Sequence, residues 1–144
     1  MGIGVYALSS LSSGDYNVSL GYGSMYYSTT ARRNVAIGQS AGNTAGGSGT
    51  TPNESIFIGK SAHSGQTNST NEIVIGHTTT GNGSNTVTIG NSSITNTYLR
   101  GTLTINGAYT LPNSIGTAGQ MLKVPSSGTS LEWGTISSGA SNIN

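Results

Sequence analysis

Residues 34–42 read NVAIGQSAG, and altered copies of this phrase recur along the first two thirds of the chain. Two close copies are NVSLGYGSM at residues 17–25 and SIFIGKSAH at residues 55–63. Each copy has two aliphatic residues separated by one position, then a glycine, then a small residue three positions later. Repetition of this kind is typical of a protein built from stacked copies of one small unit.

The glycine of the phrase occurs six times, at intervals of 17, 17, 21, 17 and 14 residues. We predict that these glycines are structural. Each would end a short strand at a point where φ is positive or where a neighbouring segment approaches closely. The repeat glycines are Gly4, Gly21, Gly38, Gly59, Gly76 and Gly90.

The aliphatic pair predicts a short β-strand, because its alternation places Val35 and Ile37 on one face. We predict that this face points into the coil and that Ala41 is small because it is packed. Since a fully exposed position rarely carries Phe or Val, we predict that another subunit partly covers the opposite face. That face carries Ser19, Ala36, Phe57, Val74 and Thr88.

The repeat predicts an all-β fold, with about six β-roll or β-solenoid coils over residues 1–95. Gly, Ser, Thr and Asn supply more than half of the chain, whereas Ile, Leu, Val and Phe supply less than a fifth. One copy therefore has little apolar surface to offset a backbone entropy cost of roughly 1–2 kcal/mol per residue. We expect an obligate oligomer.

Composition excludes several classes of protein. Charged residues are 6% of the chain and only five are basic, so we expect no nucleic-acid partner. There is no cysteine, which excludes disulfides and thiolate metal sites. No apolar run approaches the roughly 20 residues of a membrane span, so we expect no membrane insertion.

The pattern N-x-A-I-G-x-x-A resembles the head repeats of trimeric autotransporter adhesins. The longer stretch IGVYALSSLSSGDYNVSLGYGSMYYSTTARRNVAIGQSAG, residues 3–42, more closely resembles repeats of bacteriophage tail-fibre and related virion proteins. The resemblance covers residues 2–95 and implies parallel β-roll or β-prism coils in an intertwined homotrimeric fibre. Two departures are an extra loop at residues 46–52 and a last copy shortened to 14 residues.

Residues 96–144 lack the repeat and predict a β-hairpin-rich, β-prism-like module. Asn106-Gly107 favours a tight type I′ turn between the first two strands, and residues 125–129 form the loop between the other two. The predicted strands cover residues 102–105, 108–111, 120–124 and 131–136.

The same region resembles a module near the distal end of phage fibres, in which G-T-x-G-Q-x-L leads through a Gly/Ser loop to a tryptophan. Bacterial adhesins of this type would continue into a coiled-coil stalk and a membrane anchor, and neither pattern appears in this sequence. The comparison favours a phage origin. The matching residues are Gly116, Thr117, Gly119, Gln120, Leu122 and Trp133.

These resemblances imply a structural component of a phage tail fibre, located in the virion, that takes part in host attachment. The expected partners are two further copies of the chain, other tail or virion proteins, and a host-surface glycan or protein. The alternative is the head segment of a bacterial trimeric adhesin at the cell surface. An ice-binding solenoid and a polysaccharide depolymerase are less favoured.

No residue pattern indicates an enzyme, a metal site or a cofactor. Glu54 and Glu72 could lie on neighbouring coils about 5 Å apart, but we interpret them as solvated charges. His63 and His77 lack the spacing of a zinc-binding pair. Residues 59–61, Gly-Lys-Ser, lack the glycine that opens a phosphate-binding loop.

The tyrosines are the most suggestive residues for binding, because five of the seven fall within the first 27 residues. Tyr and Arg are enriched at binding surfaces, and tyrosine rings can stack on sugars. The competing explanation is that the rings cover the end of the stack or fill a trimer interface. The candidate receptor contacts are Tyr6, Tyr16, Tyr22, Tyr26, Tyr27, Arg32 and Arg33.

Overall fold

The computed structural model describes residues 1–43, 51–105, 109–110, 116–124 and 131–135. Within these residues the fold is all-β and contains no helix, as predicted. Accordingly, the described segments hold no helix with the length and apolarity needed to cross a membrane. The chain divides into two compact units, Met1–Thr95 and Asn96–Asn144.

The first unit is a parallel β-solenoid of about five turns, which confirms the predicted solenoid. Each repeat phrase forms one strand, and the strands pair in chain order within a single six-stranded sheet. Six strands enclose five complete turns, which accounts for the difference from the six coils predicted. The strands are β1 (Gly2–Ile3), β2 (Val18–Leu20), β3 (Val35–Ile37), β4 (Ile56–Ile58), β5 (Ile73–Ile75) and β6 (Val87–Ile89).

Neighbouring strands of the solenoid pair in the register of the repeat. Val35 lies beside Val18 of one neighbour and Ile56 of the other. Ile37 lies in the same way beside Leu20 and Ile58. Equivalent side chains therefore stack into continuous rows along the sheet.

The two faces of each strand are the reverse of what we predicted. Ala36 is fully buried, whereas Val35 is half-buried and Ile37 is 37% exposed. Strands β2, β4 and β5 also bury the middle residue most deeply. The prediction that Val35 and Ile37 point inward was wrong, as was the prediction that a second subunit covers the middle position. A three-residue strand sends one side chain into the narrow coil and leaves the flanking pair outside.

Small residues fill most of the interior, and the few large ones lie beside glycine. A Cβ on Gly42 would lie 2.8 Å from Met25 Cγ and 3.4 Å from Phe57 Cδ2, so these two side chains occupy the space that glycine leaves. Ala41 is fully buried, which confirms that its small size reflects packing. The buried apolar residues are Met25, Ala31, Ala36, Ala41, Phe57, Ala62 and Val74.

A row of buried polar residues lies one position before the strands. Asn34 Nδ2 donates to Pro52 O at 2.7 Å and to Asn17 Oδ1 at 3.0 Å. Asn34 Oδ1 in turn accepts from the Ser55 N–H at 3.0 Å. These bonds satisfy polar groups that would otherwise be costly to bury. The buried row consists of Asn17, Asn34, Ser55 and Glu72.

The repeat glycines end the strands with positive φ, as predicted for Gly38, where φ is 131°. A Cβ on Gly38 would lie 2.6 Å from both the carbonyl carbon and the oxygen of Gly59 in the next coil. Positive φ and close approach therefore coincide at this residue.

The second unit contains two antiparallel strand pairs among its described residues. β7 (Thr104–Ile105) pairs with β8 (Tyr109–Thr110), and β9 (Gln120–Lys123) pairs with β10 (Glu132–Thr135). The predicted turn at residues 106–107, the loop at 125–129 and most of the extra loop at 46–52 lie outside the described residues. The β-hairpin-rich, β-prism-like module stays a prediction.

Candidate functional site

The outward residues of the solenoid strands form a surface that we call the aliphatic face. Because the strands pair in register, it consists of two straight rows that run from coil to coil. Its side chains range from half-buried to exposed, up to 62% at Val87. One row is Val18, Val35, Ile56, Ile73 and Val87, and the other is Ile3, Leu20, Ile37, Ile58, Ile75 and Ile89.

An aliphatic surface of this kind favours removal from water. Single exposed apolar residues are normal on a protein surface, but contiguous apolar patches mark interaction sites. Both rows of the aliphatic face contain only Val, Ile and Leu. The face therefore has the composition of an interface core.

Four of the five candidate tyrosines come together in a cavity of about 410 Å³, which we call the tyrosine pocket. The Tyr6 ring stands nearly perpendicular to Tyr22, at 84°, and to Tyr26, at 89°, with centroids 5.7 and 5.9 Å apart. Tyr26 packs edge-to-face against Tyr27 at 4.7 Å. The lining residues are Tyr6, Tyr22, Gly23, Tyr26, Tyr27, Ser40 and Asn43.

The solenoid geometry brings the pocket residues together across three coils. Tyr6, Gly23 and Ser40 each stand two positions after a repeat glycine, with φ of 63°, 61° and 55°. The Gly23 N–H donates to Val5 O at 2.8 Å, and the Ser40 N–H donates to Tyr22 O at 2.9 Å. Residues 17 positions apart in sequence are thus held on adjacent turns.

The other candidate contacts lie outside the tyrosine pocket. Tyr16 is 77% exposed, and the Arg33 guanidinium lies 6.0 Å from its ring centroid. Arg33 also pairs with Glu54 at 3.2 Å, with both side chains more than half exposed, so this ion pair contributes little stability. Arg32 is exposed and does not line the pocket. The seven candidates do not form one site.

The sequence analysis missed three lining residues: Gly23, Ser40 and Asn43. Asn43 Nδ2 donates to Gly23 O at 2.7 Å and thereby connects two coils behind the rings. A signal for these residues was present, because aligning the coils on their glycines places Gly23 and Ser40 at the position of Tyr6. The same alignment places Asn43 at the position of Tyr26.

The acidic and histidine candidates are dispersed. Glu54 is exposed and paired with Arg33, whereas Glu72 is buried and its Oε1 accepts from the Gly83 N–H at 2.8 Å. The two carboxylates lie on neighbouring coils but face opposite sides of the wall. His63 Nδ1 lies 2.8 Å from Ser61 O. The described residues contain no cluster of three or more His, Cys, Asp or Glu suited to a metal ion.

Comparison with known proteins finds no match to this chain among family models, curated proteins or solved structures. The family resemblance therefore rests on the repeat phrase and on the residues of the carboxy-terminal stretch. Function has to be argued from the aliphatic face and the tyrosine pocket.

Proposed function

We propose that this protein is a trimeric fibre segment of a phage tail that takes part in attachment to the host-cell surface. The observation that carries this proposal is the aliphatic face. Ile37 and its equivalents lie outward on the coil, where only another molecule can remove them from water. Burial of apolar surface is the main favourable term in association, at about 25 cal/mol per Å².

The partner that best fits the aliphatic face is another copy of the same chain. The two rows repeat with the strand spacing of a parallel sheet, roughly 4.8 Å, and a second copy in the same direction presents apolar rows at the same interval. Such copies match coil for coil. A closed threefold arrangement lets each copy turn its one apolar face towards a shared axis, which agrees with the homotrimer implied by the family resemblance.

The attachment role is supported by the tyrosine pocket, which presents aromatic rings on the polar outside of the coils. A trimer would carry three such pockets, so weak single contacts would combine into strong attachment. The G-T-x-G-Q-x-L stretch at residues 116–122 supports a phage fibre over a bacterial adhesin head, since both would share the coils. Labelling virions and bacterial cells with antibodies to this chain separates the two origins.

The assembly is tested by measuring molar mass with light scattering after size exclusion. We expect three times the 14.5 kDa of one chain. In Ile37→Asp a carboxylate enters the aliphatic face, and burying an unpaired charge costs several kcal/mol. We expect that variant to be monomeric.

A matched control carries the same new charge elsewhere. Thr67 is exposed in the fourth coil and lies outside both aliphatic rows, so Thr67→Asp should remain trimeric. Circular dichroism should show β-structure in all three proteins, because Ile37 is already partly exposed on a single coil. A wild-type protein that is a folded monomer at micromolar concentration would overturn the proposal.

A further inference from the structure

We propose that the tyrosine pocket binds a neutral saccharide. This inference rests on the proposed attachment role, for which it names the class of ligand. At about 410 Å³, the cavity falls in the range of roughly 300–1,000 Å³ that is usual for small-ligand pockets. Its walls are aromatic and its remaining lining is polar and uncharged.

The rings provide surfaces suited to the apolar side of a sugar. A pyranose ring has a face of C–H groups, which packs flat on an aromatic ring. Tyr6 and Tyr22 are each about half exposed, at 55% and 54%, and Tyr27 is 39% exposed. Because Tyr6 stands nearly perpendicular to Tyr22 and Tyr26, the rings form walls at right angles around the cavity. A compact ring-shaped ligand can contact more than one wall at once.

The same residues offer hydrogen bonds to the hydroxyl groups of a sugar. Within the part of the chain that the structure describes, the four phenol hydroxyls and the Ser40 hydroxyl have no hydrogen-bond partner. Each of these hydroxyls can both donate and accept, as sugar hydroxyls do. The pocket therefore combines apolar walls with open, two-way hydrogen-bonding capacity.

The charge of the lining selects against ionic ligands. None of the seven lining residues is Asp, Glu, Lys, Arg or His, so an acidic sugar would find no counter-charge. Arg33 is engaged elsewhere, beside Tyr16 and Glu54. A quaternary ammonium needs ring faces open around it, but here neighbouring rings pack edge-to-face on one another.

Gly23 explains why the pocket occurs at this coil. Other coils carry a side chain at this position with nearly the same positive φ: Tyr6, Ser40, Ser61 and Thr78. At Gly23 the side chain is missing, and an added Cβ would meet nothing closer than Ser40 Oγ at 3.9 Å. The gap is thus open, and its backbone tolerates L-residues in the equivalent turns.

The test uses the full chain in its solution assembly and saturation-transfer NMR. The probes are neutral hexose and N-acetylhexosamine oligosaccharides, sialylated oligosaccharides and phosphocholine. We expect transfer to at least one neutral saccharide and none to the charged probes. Tyr22→Ala should weaken binding by at least about tenfold, as for a residue at the centre of a contact. Gly23→Asn, which fills the gap with a residue that tolerates positive φ, should abolish it.

The matched control is Tyr16→Ala, which removes an exposed tyrosine outside the pocket and should leave binding unchanged. Unchanged molar mass and unfolding midpoint show that each variant is intact. The proposal is overturned if no neutral saccharide binds, if only a charged probe binds, or if Tyr22→Ala and Gly23→Asn bind like wild type. These outcomes are independent of the molar mass, so a trimer without saccharide binding would refute the pocket alone.

Discussion

Gly38 illustrates how one missing side chain allows two coils to stack. Its φ of 131° lies in a region that L-residues rarely adopt. The position of its absent Cβ is only 2.6 Å from backbone atoms of Gly59, which no rotamer change can move aside. Backbone strain and collision would therefore add at this residue.

We expect Gly38→Ala to lower the free energy of unfolding by about 2–4 kcal/mol, measured by denaturant unfolding at fixed protein concentration. The control is Gly101→Ala, because Gly101 also has positive φ, 94°, but has no heavy atom within 4 Å of its would-be Cβ. Its loss should reflect strain alone and be smaller. Equal losses in the two variants would show that coil-to-coil contact is not what requires glycine at residue 38.

The strands are only three residues long, so each depends on bonds to its neighbours rather than on its own length. Asn34 is central to this dependence, since its amide reaches both the preceding and the following coil. The motif in the sequence begins with this asparagine, and the structure gives the reason. Its side chain supplies the hydrogen bonds that buried backbone groups at Pro52 and Ser55 require.

We expect Asn34→Ala to destabilise the solenoid by about 2–5 kcal/mol, because unpaired buried polar groups cost about 1–3 kcal/mol each. Thermal and denaturant unfolding would measure the loss. Asn82→Ala is the comparison, since Asn82 is exposed and bonds only to Thr88 Oγ1, at 2.9 Å. That change should cost less than about 1 kcal/mol. A similar cost in both would argue against the buried row as a source of stability.

Assembly through the aliphatic face has a consequence for the molecule as a whole. If folded chains exist as trimers and unfolded chains as monomers, mass action makes the unfolding midpoint depend on concentration. We expect the midpoint of the wild-type protein to rise by several degrees over a hundredfold increase in concentration, measured by circular dichroism. Ile37→Asp, expected to be monomeric, should show no such rise. A wild-type midpoint that does not move would contradict self-association.

The local chemistry of the repeat was legible in the sequence. The spacing of the glycines predicted where the strands lie, because a positive φ after a short alternation is a requirement of the backbone itself. The equal intervals predicted stacking, since identical units pair best in register. Residue 41 was correctly predicted to be packed for the same reason.

Only the tertiary structure decided which face of the strand is enclosed. Alternation separates Ala36 from Val35 and Ile37, but both faces are apolar, and hydrophobicity alone does not say which one a closed coil surrounds. The tyrosine pocket was beyond the sequence for a related reason. Its walls come from residues on successive turns, and their ring angles depend on how those turns stack. The sequence alone determined the repeating unit, and the closing of the coil determined what that unit buries and what it presents.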